Sequence, residues 1–241
     1  MAIVTISRQI GSGGDEIAAR LAKELQFTLV DHTFLVELLK TQGLSKSDFE
    51  ALDEEAFREA RQNREQDQVY VDLLPALITD LAEEKNLVVL GRGGQCIFRG
   101  LPGALHVRVV ASAKERARRL MDERGIEEQS AVRLVEESDE TRRRFIRYHY
   151  GVDIDAAVHY DLVVNTDRLS VETATRLVKD AVQLTDLIRK GQEIEPLLET
   201  ARSPSLLIPA RKSLRRSWIS TRYDGSMSQR HFPSRGMRQT M

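Results

Sequence analysis

Near its start the chain passes from an apolar, β-branched run (Ile3, Val4, Ile6) into Gly11-Ser12-Gly13-Gly14, and then into apolar residues at helical spacing (Ile17, Ala18, Leu21, Ala22, Leu25). The run suits a central strand, the glycines break regular structure, and Asp15 and Glu16 fall in the first helical turn, where carboxylates suit the dipole. A glycine-rich turn between strand and helix directs free backbone N–H groups and a positive dipole end at one spot, which is the physical recipe for a phosphate site. The plainer alternative is a tight βα connection whose glycines only permit φ > 0 and close packing. Set against G-x-x-x-x-G-K-[ST], the register that keeps Gly13 puts Arg8 at the first glycine and Gly14 at the lysine, with no hydroxyl residue directly after it. Arg8 is the candidate to return the missing charge.

The length of 241 residues suits one α/β domain with a good core, plus a tail. A formal net charge of -1 with 30% charged residues excludes nucleic-acid binding by bulk electrostatics and leaves only local patches. The single cysteine, Cys96, rules out an internal disulfide framework, and no signal peptide precedes the first strand, so the expected location is cytoplasmic. No apolar run approaches membrane-spanning length. There is no internal repeat.

Further along, Phe27–Val30 reads as a second strand ending in Asp31-His32, with a helix from Thr33. Polar residues at a strand's carboxyl end sit where open α/β sheets bind ligands, although a helix cap is an equal reading for Asp31, and His32 is the weaker base candidate. Charged helices are expected over 45–64 and 67–85, with Pro75 kinking the second or delaying its start. Leu87–Leu90 is a third strand, followed by Gly91-Arg92-Gly93-Gly94, where an arginine flanked by glycines can reach an anion or simply mark an exposed turn. Ala104–Val110 is a fourth strand and Leu162–Asp167 a fifth with a polar end; Ser170 then caps a final helix through Ile188. Strands alternating with helices in this way make a parallel sheet the economical reading.

Residues 114–147 hold many arginines, among them Arg116, Arg118, Arg119, Arg142, Arg143, Arg144 and Arg147, interleaved with carboxylates including Asp139. Solvated i, i+4 pairs account for most of these individually. An arginine-rich helical hairpin between two strands is also what closes over transferring phosphates, because guanidinium forks match charge spread over phosphoryl oxygens. His149 and His159 lack metal-ligand spacing and read as structural.

With the segments Ile3–Gly14, Val89–Gly94, Glu136–Arg142 and Tyr160–Ser170 in this order, the chain resembles the nucleoside monophosphate kinases, and most closely the cytidylate kinase-like family. The resemblance covers about residues 1–190, with the lid at about 120–150. It implies a P-loop α/β three-layer fold with a five-stranded parallel sheet and a helical lid. It further implies transfer of the ATP γ-phosphoryl group to CMP or dCMP with magnesium. Carried over residue by residue, Gly11, Ser12, Gly13 and Gly14 would cradle the ATP phosphates, while Arg92 and Asp31 would face the acceptor. Asp139 and Arg142 match the lid's Asp-x-x-Arg, the aspartate reading the cytosine or orienting the arginine; Arg119 would be a second phosphate clamp. Asn165 and Thr166 would lie beside the adenine, and no protein residue is assigned to a metal.

Two departures stand out: the absent P-loop lysine, and Leu90 where the family's usual pattern places a carboxylate before Gly-Arg. A branch of the family that shares Ser-Arg-Gln followed by Gly-Ser-Gly-Gly carries the first as a dialect. An active kinase using Arg8 and lid arginines, including one for another small phosphorylatable substrate, stands against a catalytically lapsed nucleotide-binding or regulatory module. Residues 191–241, rich in Pro, Ser and Arg around Trp218, are expected to be a disordered basic tail. That tail is either solvated and dispensable or a contact for nucleic acid or an anionic surface.

Overall fold

The computed structural model describes residues 2–41 and 74–184. The helix expected over 45–64, the first part of that expected over 67–85, the end of the last helix and the tail lie outside the described residues.

Five strands form one parallel sheet: β1 (Ile3–Arg8), β2 (Thr28–Val30), β3 (Leu87–Leu90), β4 (Ala104–Val110) and β5 (Leu162–Asn165), in the order β2-β3-β1-β4-β5. The first strand is central, with Ile3 level with Leu87 on one side and Ala104 on the other. Seven helices are described: α1 (Gly14–Leu25), α2 (His32–Thr41), α3 (Leu74–Glu84), the short α4 (Gly94–Ile97), α5 (Ala113–Arg124), α6 (Glu128–Tyr150) and α7 (Val171–Leu184). A 3-10 turn spans Ala157–His159.

The alternation of strand side chains divides the core. On one face Val4, Ile6, Val88, Leu90, Leu105, Val107 and Val109 meet Ile17, Ala18 and Leu21 of α1 and Ala174, Val178 and Val182 of α7. Each fully buried Leu or Ile there contributes roughly 1.5–3 kcal/mol relative to exposure. The intervening strand positions point the other way and are partly polar: Thr5 Oγ1 lies 2.8 Å from His106 Nδ1, and Arg108 Nη1 donates to Ser7 Oγ at 2.8 Å.

Helices α5 and α6 form the expected arginine-rich hairpin. Its turn follows from Gly125, which ends α5 in the left-handed region, and Ser112 caps the start of α5 by accepting from Glu115 N. The hairpin has its own apolar seam of Ala117, Leu120, Ala131 and Val135, and this seam also takes Ile10 from the loop after β1.

Candidate functional site

Parallel strands place all their carboxyl ends on one edge, and each polar strand end noted above arrives there. The loop after β1 is built from its own backbone: Ser12 donates through both N–H and Oγ to Gln9 O, at 3.2 and 2.7 Å. Gly11 and Gly13 take left-handed φ of 71° and 78°, and Gly13 caps α1 with no side-chain hydrogen bond. The first-turn N–H groups of such a helix are the donors an anion takes up. Both the buried Ser12 side chain and its N–H are spent inside the loop, so Ser12 shapes the cradle and leaves donation to its neighbours.

Two arginines of α5 brace the loop from behind. Arg116, 3% exposed, donates to Ala111 O at 3.0 Å and Ile10 O at 3.4 Å, and grips Asp139 of α6 with both terminal nitrogens at 3.0 and 2.7 Å. Arg119 donates to Gly11 O at 3.4 Å, to Thr166 Oγ1 at 3.1 Å and to Thr166 O at 2.6 Å. Thr166, buried, passes its hydroxyl hydrogen to Ser12 O at 2.8 Å, which ties the β5 loop to the glycine loop. Asn165 is exposed and accepts from Asp167 N at 2.9 Å, while Asp167 accepts from Ser112 N at 2.8 Å.

After β3, Arg92 is buried in a left-handed turn with φ 59°. Tyr150, at the end of α6, lies against Gly93 and donates to Arg92 O at 3.3 Å. Asp31 caps α2 by accepting from Phe34 N at 2.8 Å, and His32 is exposed on the first turn. Arg142 donates to Ser138 Oγ at 2.9 Å and borders, with Arg8, Gly91 and Gly93, a space of about 10 Å³. Arg8 itself bonds Asp15 Oδ1 through Nε and Nη2 at 3.2 and 3.1 Å. The fold thus gathers Gly11–Gly14, Arg8, Arg92, Arg119, Arg142 and Thr166 at one edge. Asp139 is bound to Arg116, and Asp31 serves as a helix cap.

Solvated pairing, the plain account of most hairpin arginines, does not hold for Arg116, which shares a helix face with Leu120; that i, i+4 relation to the apolar seam is the available signal. Nor does the sequence single out Arg108, 5% exposed, which donates to Asp155 at 2.7 Å and lies over the Tyr160 ring at 5.9 Å. Asp155 in turn accepts from Arg143 of α6 at 3.0 Å, linking the hairpin to the sheet. Electrostatics follow the packing. Paired first with Arg118 and then with Arg119, the Glu115 carboxyl is held down to about 2. Burial lowers the His106 pKa and raises that of Tyr160.

A central β1 running into a glycine loop, with Arg92 from the end of β3 and the arginines of a helical hairpin converging on it, defines a P-loop nucleoside-kinase-like α/β protein. Residues 3–168 match the family model described as the cytidylate kinase-like family, and the chain belongs to that family. A cytidylate kinase of Pyrobaculum neutrophilum is 30% identical over 197 residues, covering 80% of this chain and all of the relative. A cytidylate kinase of Pyrobaculum arsenaticum is 32% identical over 183 residues, covering 75% and 92%. Among solved structures, an uncharacterized protein from Eubacterium ventriosum superposes with a TM-score of 0.58 at 17% identity, covering 76% of this chain and 99% of that one. That likeness bears on the fold alone.

Proposed function

We propose that this chain transfers the γ-phosphoryl group of ATP to a nucleoside monophosphate, with CMP or dCMP as acceptor. The observation that carries the reading is the convergence of the glycine loop with Arg92, Arg119 and Arg142 on one sheet edge. In this reading the loop of Gly11, Ser12, Gly13 and Gly14 holds the donor phosphates through the backbone N–H groups of its glycines, with Ser12 setting its shape through Gln9 O, and Asn165 and Thr166 flank the adenine. Arg92 serves the acceptor, Arg142 acts from the lid, and Arg119 and Arg8 supply charge, while Asp139 acts only through Arg116 and Asp31 is kept as the α2 cap. An acceptor phosphate oxygen bonds to the γ-phosphorus as the bond to the β,γ-bridging oxygen breaks, giving ADP and a nucleoside diphosphate. Positioning and charge dispersal, which this residue set suits, supply most of the acceleration in such transfers.

Magnesium would arrive on the ATP phosphates, as it is commonly held by substrate with few protein ligands. Among the described residues no cluster of three or more His, Cys, Asp or Glu is arranged to hold a metal, and Leu90 at the end of β3 is buried and apolar. In this reading the described residues contribute the cradle and the arginines. That Leu90 and the glycine at position 14 also favour a second reading, a nucleotide-binding module without turnover.

The deciding experiment is a coupled assay of ADP release from ATP and magnesium against CMP, dCMP, UMP and AMP. Turnover with CMP or dCMP is expected. No turnover with any acceptor, while CMP binds by calorimetry, would replace the kinase with the binding module.

A further inference from the structure

Gly14 is the one glycine of the loop whose backbone does not need to be glycine. It opens α1 and is absent from the residues with left-handed φ, whereas Gly11 and Gly13 belong to them. Glycine in a helix costs up to about 1 kcal/mol relative to alanine, so something else must exclude a side chain here. The neighbour that does so is Arg8. A Cβ on Gly14 would overlap Arg8 Cβ, lie 2.9 Å from Arg8 Cγ and 3.4 Å from Val109 Cβ. Arg8 Cβ is fixed by the central strand and cannot swing aside. The stem of Arg8 thus fills the room from which a side chain at position 14 would start.

We infer that Arg8 and Gly14 are a reciprocal exchange of the P-loop lysine: the charge for the donor phosphates comes from the end of β1, and position 14 is empty to admit it. The inference rests on the proposed reading of the loop as a holder of donor phosphates. Arg8 lies at the right depth for that role, its side chain 16% exposed and its guanidinium bonded to Asp15 in the first turn of α1. Asp15 is 64% exposed, and an exposed carboxylate is readily exchanged for phosphate oxygens, which take a guanidinium fork bidentately. On its other side Arg8 borders the same small space as Arg142, Gly91 and Gly93, between the cradle and the turn that carries Arg92. A lysine of the usual loop reaches the β- and γ-phosphates from inside the helix, and Arg8 reaches the same place from the strand.

The test compares the full-length protein with Arg8→Met, Gly14→Lys and the double variant Arg8→Gly/Gly14→Lys. Binding of ADP and of inorganic tripolyphosphate is read by calorimetry, with thermal melting as a check on folding. Arg8→Met keeps the packing stem and removes the charge; it should melt like the wild type and bind both ligands roughly 10- to 100-fold more weakly. Gly14→Lys alone should melt lower and bind poorly, and removing the Arg8 stem in the double variant should recover most of both. Wild-type affinity for tripolyphosphate in Arg8→Met overturns the assignment. So does a Gly14→Lys protein with unchanged melting and affinity, or a wild type that binds neither ligand. If the double variant does not fold, Arg8→Met alone decides. A wild type that binds ADP through Arg8 yet turns over no acceptor ends the kinase reading and leaves this assignment standing. Turnover that survives in Arg8→Met does the reverse.

Discussion

At the scale of single residues, the most consequential contact behind the loop is the grip of Arg116 on Asp139, both largely buried, with side-chain exposures of 4% and 12%. Its value lies less in attraction than in what its loss leaves behind, a guanidinium out of water with only Ala111 O and Ile10 O for company. Asp139→Ala should cost about 3–5 kcal/mol and lower the melting temperature by on the order of 10 °C. Asp139→Glu should recover part of it. A scan in which the alanine variant melts within about a degree of the wild type would show that the pair is not structural. Cys96 gives a second prediction, in pH. Burial pushes its thiol from the ordinary value near 9 up to about 11, with Arg99 pulling weakly the other way. The folded state thus favours the protonated thiol, so its contribution is intact below pH 9 and lost as pH rises through about 11. Alkylation by iodoacetamide at pH 8 should be much slower than for the unfolded chain; equal rates would refute the shift.

At the scale of elements, the glycine loop and the lid hairpin are joined rather than merely adjacent. Ile10 is packed into the seam of α5 and α6, Arg116 and Arg119 hold loop carbonyls, and Gly11 rests on the backbone of Arg116. A Cβ on Gly11 would stand 2.8 Å from Arg116 O, in a residue with φ of 71°, so neither backbone can yield cheaply. Gly125, at the hairpin turn with φ of 65°, meets nothing within 4 Å. Gly11→Ala should therefore weaken ADP binding at least tenfold, whereas Gly125→Ala should cost only the 1–2 kcal/mol of a left-handed alanine, roughly, and leave affinity unchanged. Equal effects on affinity would disprove the coupling. The space between Arg8 and Arg142, about 10 Å³, has room for about one water and none for a phosphoryl group. On the proposed kinase reading, that space would have to widen on the α6 side if a phosphoryl group were to enter it.

At the scale of the whole molecule, every group assigned to the site lies between Arg8 and Thr166, and each sits at or beyond a strand's carboxyl end or on the α5–α6 hairpin. Deleting residues 195–241 should leave nucleotide binding unchanged, and a large loss of affinity in the truncated protein would bring the tail into the site. The strands, the glycine loop and the hairpin were legible in the sequence because each is a local decision, made by β-branched runs, turn glycines and helical spacing within a few residues. What the chain could not say locally is which polar residues would be consumed by packing. Asp139 belongs to Arg116, Asp31 to a helix cap and the Ser12 hydroxyl to its own loop, and each of those partners is set by where the elements meet. The same holds for Gly14. By itself the sequence determines that a lysine is missing from the loop and that an arginine stands six residues before the gap. Only the tertiary structure decides that the two positions share one volume, because a strand end and a helix start separated by a turn meet through space.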